Sequence, residues 1–177
     1  MRVVCPHVVA GPGVPRGLSR LCEQALARFA PDTEMIDLGS RHDAYRVLLE
    51  ELWAAGEAFL IVEQDIEIHE AVVPELEGCP EPWCLFGYNI GWPPAPVELA
   101  LGCTRFSAVL LSEMPGVIAG LPVRDWRRLD CELHPVLRAA GYVPHVHHPP
   151  VFHHHRYPEP NGWGGCACGR EGCDDGV

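Results

Sequence analysis

The hydrophobic pattern of the chain is most informative at Phe59–Val62, four consecutive apolar residues that are followed by Glu63 and Asp65. A run this short, with no polar position in it, predicts a strand that is buried on both faces rather than a helix. In an open α/β sheet, ligands bind at the edge where the carboxyl ends of the strands lie. The pattern predicts an acidic site at that edge, with a strand followed by solvated acids as the equal alternative.

The segments before this run alternate between strand-like and helix-like patterns. Short apolar segments predict strands, and apolar residues at helical spacing predict helices. The order is strand Val3–Val9, helix Leu18–Phe29, strand Glu34–Leu38, helix Asp43–Ala55 and strand Phe59–Val62. This order is typical of a parallel sheet joined by right-handed crossovers. We therefore expect an α/β fold in a single domain, with a mainly parallel sheet flanked by helices.

The second half of the chain has a less regular pattern. It predicts a loop at Pro74–Pro82, a strand at Trp83–Tyr88, a partly helical segment at Val109–Leu121 that breaks near Pro115, and a later helix that ends at Gly141. Pro135 is tolerated only near the start of that last helix, which places Asp130 at or just before its first turn. A carboxylate there is either a helix cap or a general base.

Composition narrows the class of protein. A chain of 177 residues, 47% of them hydrophobic, can bury one core. The net charge of −11 argues against a protein that wraps nucleic acid through a broad basic surface. No apolar run reaches the roughly 18–20 residues of a membrane span, and the first residues show no signal-peptide pattern. We expect a cytoplasmic protein with no membrane partner.

The nine cysteines divide into two groups. Six lie in or beside apolar segments, where reduced core thiols are expected: Cys5, Cys22, Cys79, Cys84, Cys103 and Cys131. The other three, Cys166, Cys168 and Cys173, lie in the Gly-rich tail of residues 158–177. With one histidine they could form a Cys₃His zinc site, although Gly-rich termini are commonly disordered.

Several polar and aromatic residues are predicted near the acidic edge. Two carboxylates one residue apart, Glu63 and Asp65, offer oxygen donors suited to Mg²⁺ or Mn²⁺. Asp37 lies at the end of the second strand and Arg41 in the turn after it, and both are candidates for contacts to a nucleotide, with a solvated loop as the alternative. Trp92, in a loop rich in Gly and Pro, is a candidate to stack on a base or a sugar, with packing against the body of the protein as the alternative.

Three features resemble, in their order along the chain, those of the GT-A fold glycosyltransferases of compact bacterial or bacteriophage type. They are the acidic strand end Glu63-x-Asp65, the segment Gly102–Ala108, and Asp130-x-Glu132-Leu133 ahead of Gly141-Tyr142. The resemblance covers residues 1–157 and implies a Rossmann-like, GT-A-like domain. It also implies transfer of a sugar from a nucleotide-sugar donor, a UDP- or GDP-sugar, to an acceptor hydroxyl.

The resemblance assigns a role to each acid. It implies that Asp65 binds Mn²⁺ or Mg²⁺, that Glu63 lies near the metal or the ribose, and that Asp130 is the catalytic base of an inverting reaction. Two positions depart from the family pattern: Glu63 replaces an aspartate, and Leu129 replaces the acid before Asp130. The second departure leaves Glu132 or Asp125 as alternative bases.

A cluster of six histidines between residues 145 and 155 agrees with the resemblance. Members of the family often contribute a C-terminal histidine as a metal ligand, and an imidazole beside carboxylates favours Mn²⁺. His153 and His155 would project together from an extended backbone. His153 is the first candidate ligand and His155 the second.

Two other functions are compatible with the sequence. One is a non-catalytic zinc-binding or nucleic-acid interaction module that uses the histidines and cysteines of the C-terminal part. The other is a metal-dependent nucleotide hydrolase on the same acidic edge. For a glycosyltransferase, the compact relatives suggest a modified DNA base or a protein hydroxyl as acceptor, and no residue decides between them.

Overall fold

A computed structural model of the chain describes residues 1–8, 18–39, 41, 43–89, 97–98, 101–122, 129–154, 158–159 and 162–163. The strands are β1 (Arg2–His7), β2 (Glu34–Asp37), β3 (Phe59–Val62), β4 (Ile66–Glu67), β5 (Trp83–Asn89), β6 (Val97–Glu98), β7 (Cys103–Phe106), β8 (His145–His153), β9 (Pro158–Glu159) and β10 (Gly162–Trp163). The helices are α1 (Arg20–Phe29), α2 (Ala44–Ala55), α3 (Val72–Gly78), α4 (Ala108–Glu113) and α5 (Leu129–Ala139).

Eight strands form one sheet in the order β2-β1-β3-β7-β5-β8-β4, with β6 paired to β5. β1 is parallel to both β2 and β3, and β5 is parallel to β8. β7 runs antiparallel between β3 and β5, and β4 and β6 also pair antiparallel. The predicted α/β class is confirmed, and the strand–helix–strand–helix–strand unit from β1 to β3 is parallel as expected. The antiparallel pairs of the second half make the whole sheet mixed.

A hydrophobic core lies on each face of the sheet. Residues of α2, α4 and α5 build one core, and residues of α1 and α3 build the other. Because neighbouring strand residues point to opposite faces, β3 supplies Phe59 and Ile61 to the first core and Leu60 and Val62 to the second. All four are fully buried, as the unbroken apolar run predicts.

Local sequence explains where the helices begin and end. α2 ends at Gly56, whose φ of 72° lies in the left-handed region that favours glycine. α4 begins after Ser107, whose Oγ accepts a hydrogen bond from the N–H of Leu110, and it ends before Pro115. The predicted break near Pro115 is therefore observed. No helix in the described part of the chain is long and apolar enough to cross a membrane.

α3 corrects the prediction of a loop at Pro74–Pro82. The helix covers Val72–Gly78 and buries Val72 and Leu76, which lie one turn apart. Pro74 is compatible with it because a proline in the first turn lacks only an N–H that has no intrahelical partner. The spacing of Val72 and Leu76 is the helical signal, and the proline obscures it.

The cysteines of the described residues are free thiols. Five are buried, as expected for core residues: Cys5, Cys22, Cys79, Cys84 and Cys103. Cys131 is exposed, so the prediction of a core position is wrong for this residue. The buried leucines of α5 are Leu129, Leu133 and Leu137, and Cys131 falls between them on the solvent side of the helix.

The pairing of β8 with β5 is irregular. Phe86 lies opposite His147 and Tyr88 lies opposite Val151, so two residues along β5 correspond to four along β8. The irregularity falls at residues 148–150, between two regularly paired parts of β8.

Candidate active site

Four strands bring their ends together at one edge of the sheet. β3 ends there, and β7, which is antiparallel to it, begins there. β5 is antiparallel to β7, and β8 is parallel to β5, so both also end at this edge. The residues at or next to these ends are Glu63, Tyr88, Gly102 and His153. The topology therefore joins four separate parts of the sequence.

Glu63 continues the alternation of β3 and lies on the face that α2 covers. Its Oε1 accepts a hydrogen bond of 2.7 Å from the hydroxyl of Tyr45. Its backbone N–H donates to the carbonyl of Gly102 at 2.8 Å, which extends the pairing of β3 with β7 by one residue. Glu63 is therefore held both by its backbone and by its side chain.

Burial raises the pKa of Glu63 to about 7, and the nearby charge of Asp65 adds to this rise. The hydrogen bond from Tyr45 and the charge of His153 act in the opposite direction. Burial also raises the pKa of Tyr45 well above its usual value, so its hydroxyl remains a hydrogen-bond donor. The edge thus carries carboxylates whose negative charge is not fully balanced, a common property of ligand sites.

Asp65 follows Glu63 in a tight turn, in which the N–H of Ile66 donates to the carbonyl of Glu63 at 3.0 Å. The Oδ2 of Asp65 lies 3.3 Å from the Nε2 of His153. Its backbone carbonyl accepts a hydrogen bond of 2.8 Å from the N–H of His154. Ile66 pairs with His153 across β4 and β8, and Asp65 lies in the turn just before β4, which brings its side chain close to His153.

The ring of Tyr88 packs against the ring of His153. The two rings are stacked, with centroids 5.0 Å apart and planes 8° apart. The Tyr88 hydroxyl accepts a hydrogen bond of 3.3 Å from the N–H of Gly102. A Cβ atom at Gly102 would lie 2.7 Å from the Tyr88 ring, so only glycine allows this close approach. Tyr88 is almost fully buried and is a packing residue.

Asp130 lies in the first turn of α5, as predicted, but Pro135 lies inside the helix and not near its start, so the premise of that prediction is wrong. Its Oδ1 accepts a hydrogen bond of 2.8 Å from the N–H of Cys131. Its charge contributes to the raised pKa values of Glu63, Tyr45 and Tyr88. Asp130 is therefore electrostatically part of the edge. Glu132, the alternative base, lies in the same turn.

Asp37 and Arg41 lie at the exposed end of β2. The Oδ1 of Asp37 accepts a hydrogen bond of 2.9 Å from the N–H of Gly39, and Arg41 forms an ion pair of 3.0 Å with Asp43. Both contacts are with close sequence neighbours. Their predicted role in binding a nucleotide stays a prediction.

Several predicted site residues lie outside the described part of the chain. They are Trp92, Asp125, His155, Cys166, Cys168 and Cys173. The predictions for base stacking, for a second histidine ligand and for a zinc site in the tail therefore stay predictions.

The donor atoms at this edge suit a divalent cation. Asp65 and His153 present a carboxylate oxygen and an imidazole nitrogen side by side. Mg²⁺ sites commonly combine one or two carboxylates with substrate phosphates, and an added imidazole favours Mn²⁺. Glu63 lies beside them as a further carboxyl group, although its Oε1 is engaged by Tyr45 and burial favours its protonated form.

Tyr45, the partner of Glu63, lies on the buried face of α2, so the sequence pattern marks it as a core residue and not as part of a site. A signal was present, since a buried tyrosine hydroxyl usually has a hydrogen-bond partner. The sequence pattern also gives no sign of the contact between Gly102 and Tyr88, which joins the start of β7 to the end of β5. That contact depends on strand pairing that no local pattern shows.

Comparison with known proteins shows a structural likeness. The sequence matches no protein-family model and no curated protein. The fold is similar to that of A197 from STIV, with 12% identity, coverage of 89% of this chain and 86% of that chain, and a TM-score of 0.54. This likeness shows a shared fold alone.

A second solved structure is a glycosyltransferase involved in the glycosylation of the major capsid of PBCV-1. The likeness to it has 11% identity, covers 86% of this chain and 92% of that chain, and has a TM-score of 0.49. A score at this level supports no conclusion, so the chemistry of this chain has to be argued from its own residues.

Proposed function

We propose that this protein is a metal-dependent glycosyltransferase, which moves a sugar from a nucleotide-sugar donor to an acceptor hydroxyl. The observation that supports the proposal most directly is the pair Asp65–His153, with Oδ2 and Nε2 3.3 Å apart at the carboxyl edge of the sheet. This edge is where α/β folds bind their ligands. The order of acidic motifs along the chain, which resembles that of GT-A enzymes, agrees with it.

Asp65 and His153 are the proposed ligands of Mn²⁺ or Mg²⁺. Two protein ligands are enough for such a site, because the diphosphate of the donor can supply further oxygens. Glu63 lies beside them and is the candidate for a further ligand or for a ribose contact. When bound, the cation neutralises the charge that develops on the departing diphosphate.

Asp130 is the proposed general base. It takes the proton of the acceptor hydroxyl while the acceptor oxygen forms a bond to the anomeric carbon of the sugar. The bond between that carbon and the diphosphate oxygen breaks, and the nucleoside diphosphate leaves with the electron pair. Attack from the face opposite the leaving group inverts the configuration of the anomeric carbon.

The nucleotide contacts are proposed to come from Asp37, Arg41 and Trp92. Asp37 and Arg41 are exposed and engaged only with close sequence neighbours in the contacts described above. Exposed ion pairs contribute little to stability, so exchanging such a contact for a phosphate or a ribose costs little. A UDP- or GDP-sugar is the proposed donor, and a modified DNA base or a protein hydroxyl is the proposed acceptor.

Calorimetric binding of UDP, GDP and their common sugars tests the proposal. With Mn²⁺, we expect the intact protein to bind one of these nucleotides and to lose that binding in EDTA. Asp65→Ala should weaken it on the order of 100-fold, because loss of a charged ligand costs about 3 kcal/mol.

Glu67→Gln is the matched control. Glu67 forms its own carboxylate–histidine pair with His154, at 2.9 Å, on the same two strands. If Glu67→Gln and Asp65→Ala weaken nucleotide binding equally, the loss reflects the strand pair and not a metal ligand. Binding that is unaffected by EDTA would contradict the metal-dependent mechanism. Cleavage of a free nucleotide, with no sugar released or transferred, would indicate the nucleotide hydrolase.

A further inference from the structure

A second group of metal-binding side chains lies on the face of the sheet that α3 covers. Cys79 follows the last residue of α3, and Cys84 is the second residue of β5. Two histidines of β8 lie beside them, since Cys84 is opposite His145 and Phe86 is opposite His147. The group therefore joins one helix end and two strands that are far apart in sequence.

The donor atoms of this group already lie close to one another. One ligand atom from each of Cys79, Cys84 and His147 lies within 4.8 Å of the others. The Sγ of Cys79 also lies 3.3 Å from the Nδ1 of His145. In a tetrahedral zinc site, with Zn–S of about 2.3 Å and Zn–N of about 2.0 Å, neighbouring ligand atoms are about 3.5 Å apart. The contact between Cys79 and His145 is already close to this distance, and the ligand atoms of Cys79, Cys84 and His147 would move closer together around a bound ion.

His147 is oriented as a metal ligand. Its Nδ1 lies 3.0 Å from the Oε2 of Glu75 on α3. Its Nε2 is buried and has no hydrogen-bond partner among the described residues. Metal-binding histidines usually donate their other ring N–H to a carboxylate, which fixes the ring and its tautomer. Glu75 can play that part, and a buried nitrogen without a partner is otherwise costly.

We propose that Cys79, Cys84, His145 and His147 form a Cys₂His₂ zinc site that is separate from the candidate active site. Thiolates combined with imidazoles in a tetrahedral arrangement select Zn²⁺ over Mg²⁺ or Mn²⁺. With four protein ligands, the site has no open position and is structural. It fastens the end of α3 to β5 and β8.

The charges around the group also suit a zinc ion. The Nη1 of Arg105 lies 3.8 Å from the Sγ of Cys84, and it donates to the carbonyls of Cys79 and Glu81 at 3.2 and 2.8 Å. Two thiolates balance the charge of Zn²⁺, and the carboxylate of Glu75 balances Arg105. The bound site is therefore neutral overall, which favours its burial.

Metal content and cobalt spectroscopy test the proposal on the full chain. The test uses the variant Cys166→Ser/Cys168→Ser/Cys173→Ser, so that the tail cannot supply thiolates. We expect this variant to retain one equivalent of zinc. Replacing the zinc with Co²⁺ should give the visible absorption of a tetrahedral site together with a thiolate-to-cobalt charge-transfer band.

Single substitutions in that background identify the ligands. Cys79→Ser and His147→Gln should each remove the bound metal, and Glu75→Gln should weaken its binding by roughly 10–100-fold. Cys22→Ala is the matched control, because Cys22 is an equally buried thiol outside the group, and it should keep the zinc. His147→Gln changes a partly exposed residue and remains informative if Cys79→Ser does not fold.

Two results would overturn the proposal. One is a tail variant that binds no zinc and gives no thiolate-to-cobalt band. The other is a non-reducing peptide map that shows a disulfide between Cys79 and Cys84 in place of the metal. Either result can be obtained without any of the single substitutions.

Discussion

Asp130 acts on the candidate site through its charge, which contributes to the raised pKa values of Glu63, Tyr45 and Tyr88. A carboxylate whose charge reaches the edge is a candidate to take the proton of the proposed acceptor. We expect Asp130→Asn to lower turnover by roughly 10²–10⁴-fold, the usual contribution of a general base. Donor affinity should not change, because the base contacts the acceptor. Release of the nucleoside diphosphate measures turnover, and calorimetry measures donor affinity.

Glu132→Gln is the matched control for this substitution, because Glu132 lies in the same turn of α5. It should leave turnover nearly unchanged. Should Glu132→Gln abolish turnover and Asp130→Asn spare it, the base is Glu132.

His134 gives the protein a dependence of stability on pH. Burial against Trp83, whose ring centroid lies 4.8 Å away, lowers the pKa of His134 from 6.5 to about 4. Asp130 opposes this shift and Arg138 adds to it. His134 therefore binds a proton more tightly in the unfolded chain than in the folded protein. The contribution of neutral His134 to the free energy of unfolding is complete above pH 6.5 and is lost as pH falls towards 4.

The loss amounts to at most about 3 kcal/mol in the free energy of unfolding. Urea denaturation at several pH values measures it. We expect the stability of His134→Gln to fall less between pH 6.5 and pH 4 than that of the intact protein. His148→Gln, at an exposed position, should follow the intact protein. If stability falls equally with pH in all three proteins, His134 is not the cause of the pH dependence.

At the scale of single residues, the sequence predicts only those site residues that a local pattern singles out. Glu63 and Asp65 follow a buried strand, and the alternation of an extended backbone marks His153. Asp65 and His153 lie 3.3 Å apart, and their role as metal ligands stays a prediction. Tyr45 and Gly102 show no such mark. Their importance comes from one contact each with a distant residue, Glu63 and Tyr88.

At the scale of elements, β7 and β5 meet at a contact that only glycine permits. A methyl group at Gly102 would lie 2.7 Å from the buried Tyr88 ring, which must then shift beneath His153. We expect Gly102→Ala to lower the free energy of unfolding by about 1–3 kcal/mol, as overpacking does. It should also weaken Mn²⁺-dependent nucleotide binding. Denaturation and calorimetry measure the two effects.

Gly78→Ala is the matched control. Gly78 is the last residue of α3, and a Cβ atom there would meet nothing within 4 Å. Its stability should change by less than about 1 kcal/mol, and its nucleotide binding should not change. If Gly102→Ala binds the nucleotide normally despite lower stability, Tyr88 does not position His153.

The helices were predictable to different degrees. α2 has a long apolar face and a clear terminal glycine, so its extent, Ala44–Ala55, is close to the prediction. α3 is short and contains Pro74, and two buried residues are too weak a pattern to outweigh a proline. β4 has only two residues, Ile66 and Glu67, and forms because β8 pairs with it. Elements that depend on distant partners leave little trace in the sequence.

At the scale of the whole molecule, the parallel half of the sheet was predictable and the antiparallel half was not. The first half follows from a repeated strand–helix order, which permits few topologies. In the second half, β7 pairs between β3 and β5, although β5 precedes it in the chain. That order depends on pairing between residues far apart in the sequence, and periodicity carries no information about it.

The pairing of β8 with β5 is irregular at residues 148–150, where four residues along β8 correspond to two along β5. This irregularity restricts which insertions and deletions the strand can accept. Because side chains alternate between the faces of a strand, an even offset keeps His145, His147 and His153 on one face. Deleting a single residue there would turn His153 away from Asp65 and present His154 in its place. Deleting two would preserve the face. Insertions and deletions in this segment that keep both proposed metal-binding groups should therefore occur in even numbers.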